Sequence, residues 1–262
     1  MLKETRRVQV LNLIRQESPV TVEELSRRFG VSYMTVWRDL KALEGQGLIQ
    51  RLRGGAVALS DGQEEEARAF PWPQAERDPH LQAKLAIGRF AAENLVADSD
   101  TITIEAGTTA SSLIPFLTQP NLTIITNGLY TAYLAAQQAN KLTLISSGGL
   151  LIETGAFTGP QAEDFFGRYR VKKAFLGAMG LTLEDGFTDP SPLYTRLKQA
   201  MRQNSDRVIM LIDSSKLGVR SLVHVMALDE VDVIVTDANA PEDLTVQLRR
   251  RGLEVHLAPL PG

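Results

Sequence analysis

The sequence predicts a two-domain protein: a small helical unit closed by a β-hairpin, then a larger α/β domain built on a mostly parallel sheet. Three observations predict it. The 262 residues exceed what one ordinary domain needs and suit two, one of them small. In the first part of the chain apolar residues recur with helical period, and two short strand-like runs follow. From Leu81 onward helical patterns alternate with short β-branched runs, the order of βα units in a parallel sheet.

The elements can be justified in turn. Residues 5–17 carry a stripe of Val10, Leu13 and Ile14, with Leu11 at its edge, ended by Ser18-Pro19. Thr21 and Glu24 stand at the spacing of a capping box, which marks a second helix start. Val22, Leu25 and Phe29 share one face of that helix, and Gly30 is placed to end it in the left-handed conformation. Ser32 caps a third helix after a tight turn. Together these make a helix-turn-helix over about residues 20–39. On the third helix Val36, Leu40 and Leu43 fall on one side, Met34, Arg38 and Lys41 on the opposite side, and Thr35 and Trp37 on the flanks. Leu48–Arg51 and Ala56–Leu59 read as strands around Arg53-Gly54-Gly55, a wing over about 48–59.

Charge is distributed to match. The whole chain carries −3, but up to Val57 ten Lys/Arg stand against six Asp/Glu, a local +4, while the remainder is −7. A basic module on an acidic body is the asymmetry expected if only one end meets a phosphate backbone. The absence of cysteine excludes disulfides, thiolate metal sites and a cysteine nucleophile. No stretch approaches the roughly 20 apolar residues of a membrane span, and the first residues lack the apolar run of a secretory signal. A cytoplasmic protein without membrane association is the expectation.

Residues 59–80, with Glu64-Glu65-Glu66 and Pro71-Trp72-Pro73, show no sustained periodicity and read as a linker. Beyond it, strands are expected at Thr101–Ile104, Leu122–Ile125, Leu142–Ile145, Lys173–Leu176, Val208–Ile212 and Val231–Val235, and helices at 81–97, 109–117, 128–139 and 192–204. Such a Rossmann-like sheet binds its ligand beyond the carboxyl ends of the strands. There the sequence places Glu105-Ala106-Gly107-Thr108-Thr109, Thr126-Asn127-Gly128, Ser146-Ser147-Gly148-Gly149, Gly177-Ala178-Met179-Gly180 and Asp213-Ser214-Ser215-Lys216. Glycines and hydroxyl residues let backbone N–H groups approach an anion, and a helix start after Gly107-Thr108-Thr109 adds its positive end. Lys216 supplies a mobile positive charge, and Glu105, Asn127 and Asp213 can bond sugar hydroxyls. Each loop alone is weak; their convergence on one sheet edge is the argument.

The run Val31-Ser32-Tyr33-Met34-Thr35-Val36-Trp37-Arg38-Asp39-Leu40, then Leu43-Glu44 and Arg53-Gly54-Gly55-Ala56, resembles the signature of the DeoR family of bacterial transcriptional regulators. The resemblance continues through Lys84-x-x-Ile87-Gly88, Gly107-Thr108-Thr109, Thr126-Asn127-Gly128, Gly148-Gly149, Gly186-Phe187-Thr188 and Asp213-Ser214-Ser215-Lys216. It covers nearly the whole chain, apart from the tail after Asp237. It implies a winged helix-turn-helix DNA-binding domain over 1–58, the linker 59–80, a sugar-phosphate sensor domain over 81–240 resembling ribose 5-phosphate isomerase, and a C-terminal extension of that domain over 241–262. Two positions depart from the family pattern. Trp37 stands where a second arginine is usual, and either packs on a deoxyribose or closes the edge of the core. Glu105 stands where the family has Asp, a change expected to shift which sugar fits.

The function implied is a DNA-binding repressor of carbohydrate-metabolism genes, with no catalysis, cofactor or metal, whose operator affinity is controlled by a phosphorylated sugar or related phosphometabolite. Ser32, Tyr33, Met34 and Arg38 are expected near bases or backbone of double-stranded operator DNA, Thr35, Lys41, Arg51 and Arg53 mainly on phosphates, and Trp37 beside them. Effector contacts are expected from Glu105, Gly107, Thr108, Thr109, Thr126, Asn127, Gly148, Gly149, Asp213 and Lys216. Lys198, by default an exposed helical charge, and Asp185 with Gly186, by default a turn, are further candidates. One small module makes few contacts, so a homo-oligomer, dimer or tetramer, is expected on paired half-sites. His80, His224 and His256 lack metal-ligand spacing. The alternative is a sugar-phosphate isomerase with an accessory DNA module, for which Glu105, Asp213 and Lys216 are conceivable catalytic parts. A pocket for another phosphometabolite or a neutral polyol is a third reading.

Overall fold

A computed structural model describes residues 3–17, 19–44, 48–52, 54–58, 78–138 and 142–260. The expected wing residue Arg53 and linker residues 59–77 lie outside these. The chain divides into two compact units, Met1–Gln74 and Ala75–Gly262.

The first unit runs α1 (Lys3–Glu17), β1 (Val20–Thr21), α2 (Val22–Phe29), α3 (Tyr33–Glu44), β2 (Ile49–Leu52) and β3 (Gly55–Ala58). The caps form as their chemistry requires. Thr21 Oγ1 accepts from the Glu24 amide at 3.2 Å, and Gly30 ends α2 at φ 62°, its amide bonded to the Ser26 carbonyl. Ser32 Oγ accepts from the Thr35 amide at 3.3 Å at the start of α3. Ile14, Leu25 and Leu40 are wholly buried, with Val36, Leu43 and Ile49 around them. The hairpin has a third strand that the sequence does not announce, giving the order β1-β3-β2. Two residues are too few to show a period. Gly55 permits this pairing, because a Cβ there would stand 2.3 Å from the Val20 carbonyl oxygen. Asp39, buried on α3, is held by Arg6 Nε at 2.7 Å and Arg7 Nε at 3.0 Å. A buried carboxylate is costly unless paired, and this double ion pair fixes α3 against α1.

The second unit runs α4 (Leu81–Leu95), β4 (Thr101–Ile104), α5 (Thr108–Ser111), β5 (Thr123–Thr126), α6 (Leu129–Ala136), β6 (Thr143–Ser146), β7 (Leu150–Leu151), β8 (Phe157–Thr158), α7 (Pro160–Phe166), β9 (Val171–Leu176), β10 (Gly180–Thr182), β11 (Gly186–Asp189), α8 (Pro192–Gln203), β12 (Ser205–Leu211), β13 (Val223–Met226), β14 (Val233–Asp237), α9 (Glu242–Arg250) and β15 (Glu254–Ala258). Seven strands form a wholly parallel sheet in the order β15-β14-β12-β9-β4-β5-β6. Both faces are covered. Ile209 and Leu211 pack with α4, while Val208, Met210 and Ile212 pack with α7, α8 and α9, the two-residue period of a doubly buried strand.

The structure adds elements that the sequence does not announce. The segment expected as a C-terminal extension of this domain carries α9 and β15, the sheet's seventh strand. A three-stranded antiparallel sheet, β10-β11-β13, and a short β7–β8 hairpin were not expected. The helix expected over 109–117 stops at Ser111 and resumes as a 3-10 turn, Ile114–Phe116, with Pro115 in its first positions; a proline there cannot donate to a continuous helix.

The order of the parallel strands fixes where a ligand can enter. From β4 the chain moves outward to β5 and β6; from β9, its neighbour, it moves the opposite way through β12 and β14 to β15. The loops leaving β4 and β9 therefore part, and a crevice opens at this topological switch point.

Candidate functional site

On the first unit, α3 presents a polar outer face over a buried back. Tyr33 and Met34 are more than half exposed, and Arg38 and Lys41 are exposed. Met34, Arg38 and Lys41 recur at helical spacing and share a side. Among the described residues neither cation makes an ion pair. Ser32 is exposed, and its hydroxyl lies 3.0 Å from Thr35 Oγ1. Trp37 is half-buried and packs on the unit's core. Arg51 lies over its ring, 5.6 Å from the centroid, and donates to Glu44.

On the second unit, a cavity of about 320 Å³ opens at the switch point between β4 and β9, within the size range of small-molecule sites. Six of the expected effector residues line it: Glu105, Gly107, Thr108, Thr109, Lys198 and Lys216. Asp213 lies behind Lys216, its Oδ2 3.5 Å from the ammonium. Thr126, Asn127, Gly148, Gly149, Asp185 and Gly186 do not line the cavity. Their chemistry is used locally. Thr126 Oγ1 accepts from the Gly128 amide at 2.9 Å. Asn127 accepts from the Ala106 amide at 3.0 Å and donates to the Phe157 carbonyl at 3.2 Å, so it holds the β4 loop from behind. Gly148 and Gly149 take positive φ before β7. Asp185 and Gly186 form the β10–β11 turn, where Thr182 Oγ1 bonds both the amide and the carboxylate of Asp185.

Lys198 departs most from its default reading as an exposed charge. It is 4% exposed and donates to the Gly177 carbonyl and to Asp189 Oδ2, each at 2.6 Å, with Glu105 Oε1 at 3.9 Å. Burial works against its charge, but Glu105 and Asp189 more than offset this, so its pKa stands above the ordinary lysine value. Its stabilising contribution is therefore complete at neutral pH and is lost only as pH rises through that raised value.

Glu105 is folded back onto its own loop. Its Oε2 accepts from the Gly107 amide at 3.0 Å and from the Gly177 amide at 3.4 Å, tying the β4 and β9 loops together. A Cβ at residue 107 would stand 2.7 Å from that oxygen, so a side chain there would push the carboxylate out of this position. Three further residues belong to the site and were not expected there. Asp189 holds Lys198 and accepts from the Met179 amide at 3.0 Å. Tyr194 lines the wall. Buried Lys84 donates to Thr108 Oγ1 at 2.9 Å and is paired with Asp78. Lys84 stands in the quoted family pattern, and that pattern was the one signal in the sequence that could have found it. Asp189 ends β11, a strand of a hairpin with no periodic signal.

The arrangement suits an anion carrying hydroxyls. The amides of Thr108 and Thr109 open α5 and so lack a carbonyl four residues back within it. Lys198 is committed to two protein oxygens, the Gly177 carbonyl and Asp189 Oδ2, whereas Lys216 is held at 3.5 Å, beyond hydrogen-bond length. Among the described residues no group of three His, Asp or Glu could hold a metal ion, and no helix is long and apolar enough to cross a membrane.

Comparison with known proteins gives two family matches. The DeoR-like helix-turn-helix domain matches residues 6–61, and the DeoR C terminal sensor domain matches residues 79–238. The chain is 33% identical to the HTH-type transcriptional regulator YulB of Bacillus subtilis (strain 168), over 99% of this chain and 98% of that one. It is 29% identical to the glycerol-3-phosphate regulon repressor of Escherichia coli (strain K12), over 98% of this chain and 100% of that one. Among solved structures it is similar to ribose 5-phosphate isomerase A from Methanocaldococcus jannaschii, with 23% identity, 51% of this chain and 53% of that chain covered, and a TM-score of 0.36.

Proposed function

The chain belongs to the DeoR family of DNA-binding transcriptional regulators, and on that premise we propose that it is a repressor whose operator affinity is set by a phosphorylated sugar, or related phosphometabolite, held in the cavity between β4 and β9. The observation that carries this reading is the convergence, at one sheet edge, of the open amides of Thr108 and Thr109 with the loosely held ammonium of Lys216. The phosphate sits against these groups. Thr109 and the Glu105 carboxylate face the sugar. Thr126, Asn127, Gly148, Gly149, Asp185, Gly186 and Asp213 act as scaffold for the loops. A glycerol-3-phosphate regulon repressor among the relatives supports a small phosphorylated ligand and a carbohydrate regulon.

The DNA-binding domain is assigned to residues 1–58, joined by the linker 59–80 to an effector domain from residue 81 that includes the segment 241–262. Helix α3 enters the major groove, with Met34 and Arg38 toward base edges and Ser32, Tyr33, Thr35 and Lys41 toward the backbone; Arg53, outside the described residues, takes a phosphate. Trp37 closes the edge of the core. The chain acts in the cytoplasm as a dimer or tetramer on paired half-sites. Catalysis is disfavoured because an isomerase needs a free base at the reacting carbon. Glu105 is bound by two amides, and Asp213 accepts from Ser215 and pairs with Lys216.

Lys216→Ala tests the effector site. Operator affinity without effector should be unchanged, while the phosphosugar concentration giving half-response rises at least about tenfold, as for loss of one charge-assisted hydrogen bond. A full response at the parent concentration removes Lys216 from the site.

A further inference from the structure

We infer that Arg51 is a positioning residue, clamping the wing to the recognition helix through Glu44 and Trp37, and does not bind a DNA phosphate itself. The inference rests on the assignment of α3 as the recognition helix. Arg51 lies on β2, and Glu44 is the last residue of α3. Both carboxylate oxygens of Glu44 are used: Oε2 accepts from Arg51 Nε at 2.6 Å, and Oε1 accepts from the Arg51 backbone amide at 3.2 Å. Side chain and backbone of one strand residue are thus gripped by one helix residue. The guanidinium is also stacked over Trp37, 5.6 Å from the ring centroid, a favourable placement of a cation on an aromatic face. Trp37 itself is anchored in the core.

The geometry accounts for an aromatic residue at position 37. A second exposed cation there would repel Arg51, whereas an indole gives it a seat and returns its hydrogen-bonding edge to Glu44. The hydrogen bond from Arg51 also holds the Glu44 carboxyl below the usual carboxylate range. At the other end of the hairpin the Gly54 carbonyl accepts from the Val22 amide at 2.8 Å, and β3 pairs with β1. The wing is therefore fixed to α2 at its turn and to α3 along β2, so its angle to the recognition helix is set before DNA arrives. Arg51 spends its charge on that angle.

Glu44→Gln separates the two roles by sign. The substitution raises net charge by one and frees Arg51; if Arg51 were a phosphate ligand, binding to DNA would tighten. The clamp predicts weaker binding, by about two- to fivefold, the worth of an exposed ion pair. The assay uses the intact chain and a duplex selected by it from a random-sequence pool, over a range of salt. Arg51→Gln should bring the same loss with the slope of log affinity against log salt unchanged. A lost phosphate contact would flatten that slope by about 0.9. The charge swap E44R/R51E keeps net charge and restores the ion pair, though neither the amide bond nor the seat on Trp37, so it should regain part of the lost affinity, which also answers any folding defect in the single variants. Glu44→Gln binding as tightly as the parent or tighter, or a flattened slope for Arg51→Gln, overturns the inference. Arg38→Ala in the same assay tests the recognition-helix assignment separately: if it leaves affinity unchanged, that assignment fails whatever Glu44 shows.

Discussion

Replacing Lys198 by methionine is expected to cost the second unit about 3–5 kcal/mol of stability, the usual loss when one partner of a buried ion pair is removed. Methionine has nearly the same length and fills the same space, so the loss is electrostatic and not a cavity effect. It strands Asp189, 2% exposed, and Glu105, 4% exposed, without their cation. It also leaves the Gly177 carbonyl without its donor. Because Asp189 accepts from the Met179 amide and Glu105 bridges the β4 and β9 loops, the damage falls on both walls of the cavity. Urea titration of the variant should show the midpoint fall. A loss below about 1 kcal/mol would mean that Lys198 behaves as an exposed helical charge after all.

Arg38→Ala is expected to weaken operator binding by between about fivefold and 150-fold, the range for one arginine contact at a base edge, while leaving phosphosugar affinity and folding intact. The neighbouring residue makes the contrast clear. Asp39 points inward to Arg6 and Arg7, so altering it would disturb the domain. Arg38 points outward and has no ion-pair partner among the described residues, so its removal strands nothing, and stability should stay within about 0.5 kcal/mol. Binding to duplexes carrying single base changes then shows which base pair, if any, loses its discrimination. Unchanged operator affinity would remove Arg38 from the interface.

How much of this was legible in the sequence depended on whether the signal was local. The α2 and α3 caps were legible because Thr21, Gly30 and Ser32 act within a few residues of themselves. Strands β4, β5, β9, β12 and β14 were visible as apolar, largely β-branched runs because both faces of the sheet are buried there, and edge strand β6 because Leu142–Ile145 keeps such a run without a charged residue. Strand β15, at the opposite edge, was missed because Glu254 and His256 break its apolar run. Its polar residues reflect position in the sheet, which no local pattern reveals. Lys198 was misread for a related reason: on α8 it sits beside buried Leu197, and its partners come from β11 and the β4 loop, far away in sequence. The loops at Gly107–Thr109 and Lys216, expected at a ligand site, do line the cavity. Thr126 and Asn127, expected there too, lie outside the cavity lining and bond to backbone. Hydroxyl and amide side chains after a strand look alike whether they wait for a ligand or hold a loop, and only their hydrogen-bond partners tell them apart.

The central claim is that one ligand site and one DNA site are energetically coupled in this chain, and reciprocal titration tests it most directly. Affinity for a duplex selected from a random-sequence pool is measured with and without glycerol 3-phosphate, pentose 5-phosphates and hexose 6-phosphates. The affinity of the responding phosphate is then measured with and without the duplex. The account predicts that at least one of them changes duplex affinity by about five- to 150-fold, and that the duplex changes its affinity by the same factor, as linkage requires. A phosphosugar that binds the chain yet leaves duplex affinity unmoved, or duplex binding indifferent to all of them, would contradict it.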